Sequence, residues 1–283
     1  MSGLGKNPGF PCLLYVYPWQ PFPRRIIIYL RERCIPEALV TIVHVRDAQK
    51  GDDVVEEERF PPRPKGSLPI LAIPHWVRDS KGQRSTYPTS SHDWTYLTQS
   101  LGIISFLEEL CKTSQHGFPV ASESNHDETP LTRARQVGLI ALADQLTVMW
   151  NPVRTFGTGA GTMSIPVAAK EMLLWVRRTL RALDIEYEGR DLSSESGGFV
   201  TIADIILYQF MEFTHDCYGL DLTIGTGAMT VDPYGREVKD EYPNLVRLYQ
   251  AFRNRESAKR VEERGEFPGA EAKAAMCRWA DGV

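Results

Sequence analysis

The chain has no C-x-x-C pair, and its five cysteines, Cys12, Cys34, Cys111, Cys217 and Cys277, are odd in number and widely scattered over 283 residues. For such a set a reducing compartment is the simpler reading. No block of Lys and Arg is present, and 32 basic against 36 acidic residues give a formal net charge of -4. Nucleic acid and anionic membrane surfaces both demand a concentrated basic face, so neither is expected as a partner. No apolar run approaches the roughly 20 residues that span a bilayer. The Gly/Pro-rich first dozen residues lack the continuous apolar segment of a secretory leader. A cytoplasmic protein is therefore the default expectation. Metal-ligand spacing is also missing: His75, His92, His116 and His126 lie in polar stretches without a partner at the right interval. What remains is an ordinary globular composition, 42% hydrophobic and 24% charged, enough for one large domain or two smaller ones.

The first half alternates. Residues 13–17 read as a buried strand, a Pro-rich turn follows, and a helix is expected from Arg24 to Arg33. Leu39 to Val45 reads as a second strand, and the charged residues 46–59 as a weak helix or loop. Pro61-Pro62-Arg63-Pro64 then interrupts regular structure before Pro69 opens a third strand. Trp94 to Leu97 gives a fourth strand, ahead of a helix from Ser100 to about Lys112. The order β-α-β-α-β-β-α predicts a small mixed sheet of thioredoxin type. Residues 113–129 are polar and aperiodic, as in a linker. Beyond them helical patterns cover Arg133 to Trp150, Val167 to Leu183, Thr201 to Phe213 and Asn244 to Glu263. The expected division is thus 1–112 as an α/β domain, 113–129 as linker and 130–283 as an all-α bundle. Thr201 and Asp204 have the spacing of a cap and a first-turn acid, and the apolar residues after them fall on one stripe. Arg177, Arg178 and Arg181 are expected on a solvated helix face.

Two short segments carry the chemistry. Gly66-Ser67-Leu68-Pro69-Ile70-Leu71 sets a proline at a strand start, where its missing N–H is tolerated. A cis Leu68-Pro69 bond would turn the Leu68 backbone outward to pair with an extended peptide. In Leu97-Thr98-Gln99-Ser100-Leu101, an amide and a hydroxyl stand at the first turn of a helix, where unpaired N–H groups and the dipole favour a carboxylate. One segment suits a peptide backbone and the other an anion.

With these residues in view, the chain resembles the glutathione transferase superfamily over roughly residues 13–262, in a divergent fungal-type, omega- or theta-like form. Residues 63–71 (RPKGSLPIL) are similar to the family's N-P-x-G-x-V-P-x-L, and residues 97–104 (LTQSLGII) to its L-T-E-S-x-A-I-I. Residues 198–205 (GFVTIADI) resemble its G-x-x-[ST]-[IL]-A-D box, and Tyr242-Pro243-Asn244-Leu245 a late helix start. The resemblance implies a thioredoxin-like domain followed by a helical bundle. It also implies glutathione as cosubstrate, with Gln99 and Ser100 at its γ-glutamyl carboxylate and Leu68 and Pro69 at its cysteinyl residue. A homodimer follows by the same analogy.

The thiol must ionise, and here the pattern is broken. Residues 20–25 (QPFPRR) are similar to a C-P-F-x-x-R or S-P-F-x-x-R turn, but Gln20 occupies the Cys or Ser position. A thiol-reductase mechanism of the omega type loses its nucleophile. Tyr17 or Gln20 remains to stabilise the thiolate, Tyr17 otherwise being a packed strand residue and Gln20 a turn residue. Arg24 either adds positive potential beside them or is simply solvated. An electrophile pocket lined from the second half would draw on Trp150, Arg154 and Phe156, which are equally readable as core and surface residues. Residues 157–161 (GTGAG) follow no strand and are read as a flexible loop, not a dinucleotide fingerprint. His215-Asp216-Cys217 is read as structural.

Three functions fit. One is a transferase adding the glutathione thiolate to a hydrophobic electrophile, which the resemblance associates with natural-product pathways. The second is a glutathione-dependent double-bond isomerase. The third is a non-catalytic binding protein on the same fold, motivated by Gln20.

Overall fold

A computed structural model describes residues 12–17, 20–45, 60, 63–74, 94–120, 129–158, 163–192, 198–232, 235–260 and 270–280. The chain divides into two compact units, residues 1–127 and 128–283.

In the first unit, β1 (Cys12–Val16) pairs in parallel with β2 (Val40–His44) and antiparallel with β3 (Ile70–Pro74), which pairs antiparallel with β4 (Trp94–Thr98). The strand order is β2-β1-β3-β4, the mixed sheet expected from the sequence. All five residues of β1 are buried, which explains its unbroken apolar run in place of alternation. Leu13, Tyr15, Leu68, Ile70, Ala72 and Trp94 share one core cluster, with Tyr17 and Tyr96 packed against it. Helix α1 runs Pro21–Glu32 and α2 runs Ser100–Lys112. The Pro-rich stretch expected as a turn is thus the first turn of α1. Prolines at 21 and 23 fit there because first-turn N–H groups have no partner within the helix, and Arg24 N–H makes an early bond, to the Gln20 carbonyl at 3.2 Å. A short 3-10 turn, Gln115–Gly117, follows α2. The reading for residues 46–59 falls outside the described residues.

The second unit holds α3 (Pro130–Thr158), α4 (Pro166–Glu186), α5 (Ile202–Tyr218), α6 (Pro243–Arg253) and α7 (Ala270–Ala280). Between α5 and α6 lies a small hairpin of β5 (Met229–Val231) and β6 (Glu237–Lys239). Helix α5 is its centre, buried along nearly all its length. Its start is the expected capping box: Thr201 Oγ1 accepts from the Asp204 N–H at 3.2 Å, and Asp204 Oδ2 accepts from the Thr201 N–H at 2.8 Å. Arg190 also pairs with this carboxylate.

Several sequence expectations need correction. Gly157 and Thr158 end α3 instead of opening a loop; the rest of that stretch, 159–161, lies outside the described residues. Helix α6 stops at Arg253, and α7 and the hairpin were not foreseen. Arg177 and Arg181 are not simply solvated: Arg177 donates to the Ile224 carbonyl at 3.2 Å and Arg181 to the Glu241 carbonyl, tying α4 to the hairpin segment. No described helix is long and apolar enough to cross a membrane.

Candidate functional site

The register of the sheet gathers the candidate residues at one of its ends. Tyr15 lies opposite Ile70, and Ile70 opposite Thr98. Because β3 is antiparallel to both neighbours, the exit of β1, the entry of β3 and the exit of β4 fall side by side. With strands about 4.8 Å apart, these three points span roughly 10 Å. Tyr17 and Gln20 follow the first, Leu68 and Pro69 precede the second, and Gln99 and Ser100 follow the third.

The Leu68-Pro69 bond is cis. Leu68 buries its side chain in the core cluster, and its backbone lies outside the ladder, whose pairing begins at Ile70. The preceding loop is held from within by Arg63, itself buried, which donates to the Gly66 carbonyl at 2.9 Å.

Gln99 is exposed at the N-terminus of α2, with φ 69° and ψ 118°. A positive φ is costly for a residue with a Cβ and marks a backbone held in place by its surroundings. Its side chain makes no cap to the helix, and the first turn of α2 contains no acidic residue. Ser100, the next residue, is buried. The positive end of α2 therefore has no first-turn carboxylate to balance it.

Gln20 occupies the N-cap of α1, without a side-chain cap bond, and its Oε1 is buried with no hydrogen-bond partner among the described residues. A buried amide oxygen without a partner is expensive. Tyr17 is half-buried and leans on the core cluster. Two buried thiols lie away from this end: Cys12 opens β1 and burial pushes it up to about 12, and Cys111, near the far end of α2, is raised by burial too.

Arg24 is buried at 2% exposure, which overturns the reading of it as a solvated arginine. Its neighbour Arg25, which sequence reasoning passed over, is the arginine that meets the site. It is fully buried, its Nη1 donates to Ser100 Oγ at 3.4 Å, and its Cζ lies 4.8 Å from the centre of the Phe22 ring. The signal was present in the sequence, since Arg25 stands at the R of the C-P-F-x-x-R turn counted from Gln20.

Among solved structures, the chain is similar to a glutathione transferase from Methylobacillus flagellatus with glutathione bound, at 21% identity over 87% of this chain and 96% of that one, with a TM-score of 0.54. It is also similar to glutathione transferase Omega 3C from Trametes versicolor, at 17% identity over 98% and 93% of the two chains, TM-score 0.56. Omega 1C from the same organism gives 20% identity over 96% and 98%, TM-score 0.53. The chain has the glutathione transferase fold. No family model and no curated protein matches its sequence.

In the helical part of this fold, Trp150 is fully buried and packs edge-on against Phe210 and Tyr218, at centroid distances of 6.4 and 5.5 Å. It is a core residue, not an open pocket wall. Arg154 and Phe156 are half-buried, and Arg154 Nε donates to Asn151 Oδ1 at 3.0 Å. Burial raises the Tyr218 phenol, opposed by the Arg154 guanidinium and its hydrogen bond. His215 and Asp216, adjacent on α5, meet each other, Nδ1 to Oδ1 at 2.8 Å. No group of three or more metal-ligating side chains occurs among the described residues.

Proposed function

We propose that the chain is a glutathione-dependent transferase that adds the glutathione thiolate to a hydrophobic electrophile. The carrying observation is the convergence at one sheet end of a strand entry outside the ladder at Leu68-Pro69, a helix N-terminus at Gln99-Ser100 without a first-turn acid, and the Gln20 amide at the N-cap of α1, which makes no cap bond. The glutathione bound in the Methylobacillus flagellatus structure of the same fold supports the reading.

In this mechanism the Leu68 backbone pairs with the extended cysteinyl residue, as a strand edge pairs with a peptide. The γ-glutamyl carboxylate sits at the N-terminus of α2, where Gln99 and the Ser100 hydroxyl donate to it. The thiol then lies by the N-terminus of α1. A helix dipole and an amide N–H from Gln20, or the Tyr17 phenol, stabilise the thiolate and lower its pKa from near 8.5. Within the helical unit, Arg154 and Phe156 are the half-buried candidates for contact with the electrophile, and Trp150 packs in the core against Tyr218, whose phenol meets Arg154. The active form is a homodimer.

Calorimetric titration with glutathione, followed by product mass, tests the proposal. A product heavier by one glutathione supports transfer, and an isomer of unchanged mass replaces it with the isomerase reading. Gln20 in place of Cys or Ser favours one further reading, a non-catalytic glutathione binder, which predicts binding without turnover of any electrophile.

A further inference from the structure

Arg154 on α3 is a half-buried cation with no acid to meet it. Its Nε donates to Asn151 Oδ1 at 3.0 Å, it also donates to the Tyr218 hydroxyl, and no carboxylate pairs with it among the described residues. A guanidinium donates on every N–H and accepts nothing, so the rest of its capacity stays open to an acceptor from outside the protein. The acids of the neighbouring helices are committed elsewhere. Helix α3 has none after Asp144, and on α5 both Glu212 and Asp216 pair with Arg260, at 3.0 and 3.4 Å.

Trp150, one turn before Arg154 on the same side of α3, adds a second donor without an acceptor. It is fully buried, and its indole N–H has no partner among the described residues. A donor left over in a core is costly, and a bound acceptor would remove that cost. Tyr218 joins the two residues: its ring meets the Trp150 ring edge-on at 5.5 Å, and its hydroxyl meets the guanidinium. Helix α7 lies against the chain beside both. A Cβ on Gly157, just beyond Arg154, would stand 3.3 Å from Trp279 Cδ2, and one on Gly219, directly after Tyr218, 3.0 Å from Cys277 Sγ. Cys277 Sγ also donates to the Tyr218 carbonyl at 3.7 Å. The acid that α7 carries, Glu271, is exposed in its first turn. A cation held among packed helices and partly out of water binds an arriving anion more strongly than a solvated one does.

We infer that Arg154 determines specificity for electrophiles that carry a carboxylate: its uncommitted N–H groups take the carboxylate while Asn151 and Tyr218 hold the guanidinium in place. Each terminal nitrogen carries two N–H groups, so the bond to Tyr218 leaves enough for a forked grip on the two carboxylate oxygens. This inference rests on the transferase reading above and names the substrate class for it.

The test compares, by calorimetry, glutathione, S-(carboxybenzyl)glutathione and the methyl ester of its benzoate, with both conjugates made as ortho, meta and para isomers so that different reaches are sampled. Wild-type protein binds at least one acid isomer about tenfold or more tighter than the matching ester. Arg154→Met brings acid and ester to the same affinity, and Arg154→Lys, which keeps the charge without the planar fork, retains part of the preference. Melting temperature checks each variant. If Arg154→Met does not fold, Arg154→Gln takes its place, since it keeps a donor and loses the charge. Glutathione binding with no acid preference for any isomer in wild type, or a preference undiminished in folded Arg154→Met or Arg154→Gln, overturns the inference and leaves the glutathione site standing. Wild-type protein that binds no glutathione overturns the transferase reading itself, and the inference with it.

Discussion

Gln20 and Trp150 show how far a residue's type alone determines its role. Gln20 stands where the resembling turn has Cys or Ser, and it sits at the N-cap of α1 with an amide oxygen that is buried without a partner among the described residues. Trp150 was equally readable as a pocket wall, because the sequence pattern ended its helix there, whereas α3 runs on to Thr158. Its contacts with Phe210 and Tyr218 decide for the core. Trp150→Ala is accordingly expected to cost about 3–5 kcal/mol by leaving a cavity. Denaturant unfolding measures this, and a variant of native stability with an altered KM for the electrophile would return Trp150 to the pocket. Arg24 and Arg25 carry the related lesson: adjacent basic residues on a helix diverge by about 100°, so choosing between them needs a neighbour, here Ser100.

Among the elements, those announced by local chemistry were legible. The alternating apolar runs, the Pro69 strand start and the Thr201-Asp204 box all act within a few residues, and each appears where its sequence signal lies. Asp204→Ala removes the carboxylate half of that box, which accepts from the Thr201 N–H, and leaves the bond from the residue 204 backbone N–H to Thr201 Oγ1; the lost half should cost about 1 kcal/mol, read as a lower unfolding midpoint. The β5-β6 hairpin and its anchoring were hidden because they depend on contacts across many residues. Asp240 Oδ2 accepts from the Thr226 backbone N–H at 2.9 Å and from its hydroxyl at 2.7 Å, and Asp240 Oδ1 accepts from the Tyr242 hydroxyl. Gly225 lies so close to this strand that a Cβ would fall 1.8 Å from the Asp240 carbonyl oxygen. Gly225→Ala must therefore displace the segment, and a drop in melting temperature is expected. Burial alone would raise the Asp240 carboxyl, but the Tyr242 and Thr226 bonds and the Arg177 charge outweigh it and hold it below the ordinary value of 3.8. A lowered folded pKa contributes stability above the unfolded value and loses it as pH falls through the folded one. Melting temperature against pH should then show a gap between wild type and Asp240→Asn that is full at neutral pH and shrinks below about pH 4.

At the scale of the whole molecule, the division of labour between an α/β unit and a helical unit follows from the switch of hydrophobic period along the chain, and the solved structures of the same fold share it over nearly their whole length. The site is less legible than the fold, because its geometry comes from strand register: residues 17, 20, 68, 69, 99 and 100 are brought together by the pairing of Tyr15 with Ile70 and of Ile70 with Thr98. The claim that this gathering activates a thiol is tested most directly by the thiol pKa of glutathione bound to the wild-type protein, with Tyr17→Phe and Gln20→Ala as references. The account predicts a bound thiol that ionises below the free value near 8.5, shifting back toward it in one of the two variants. A bound thiol that titrates as it does in free solution would contradict it.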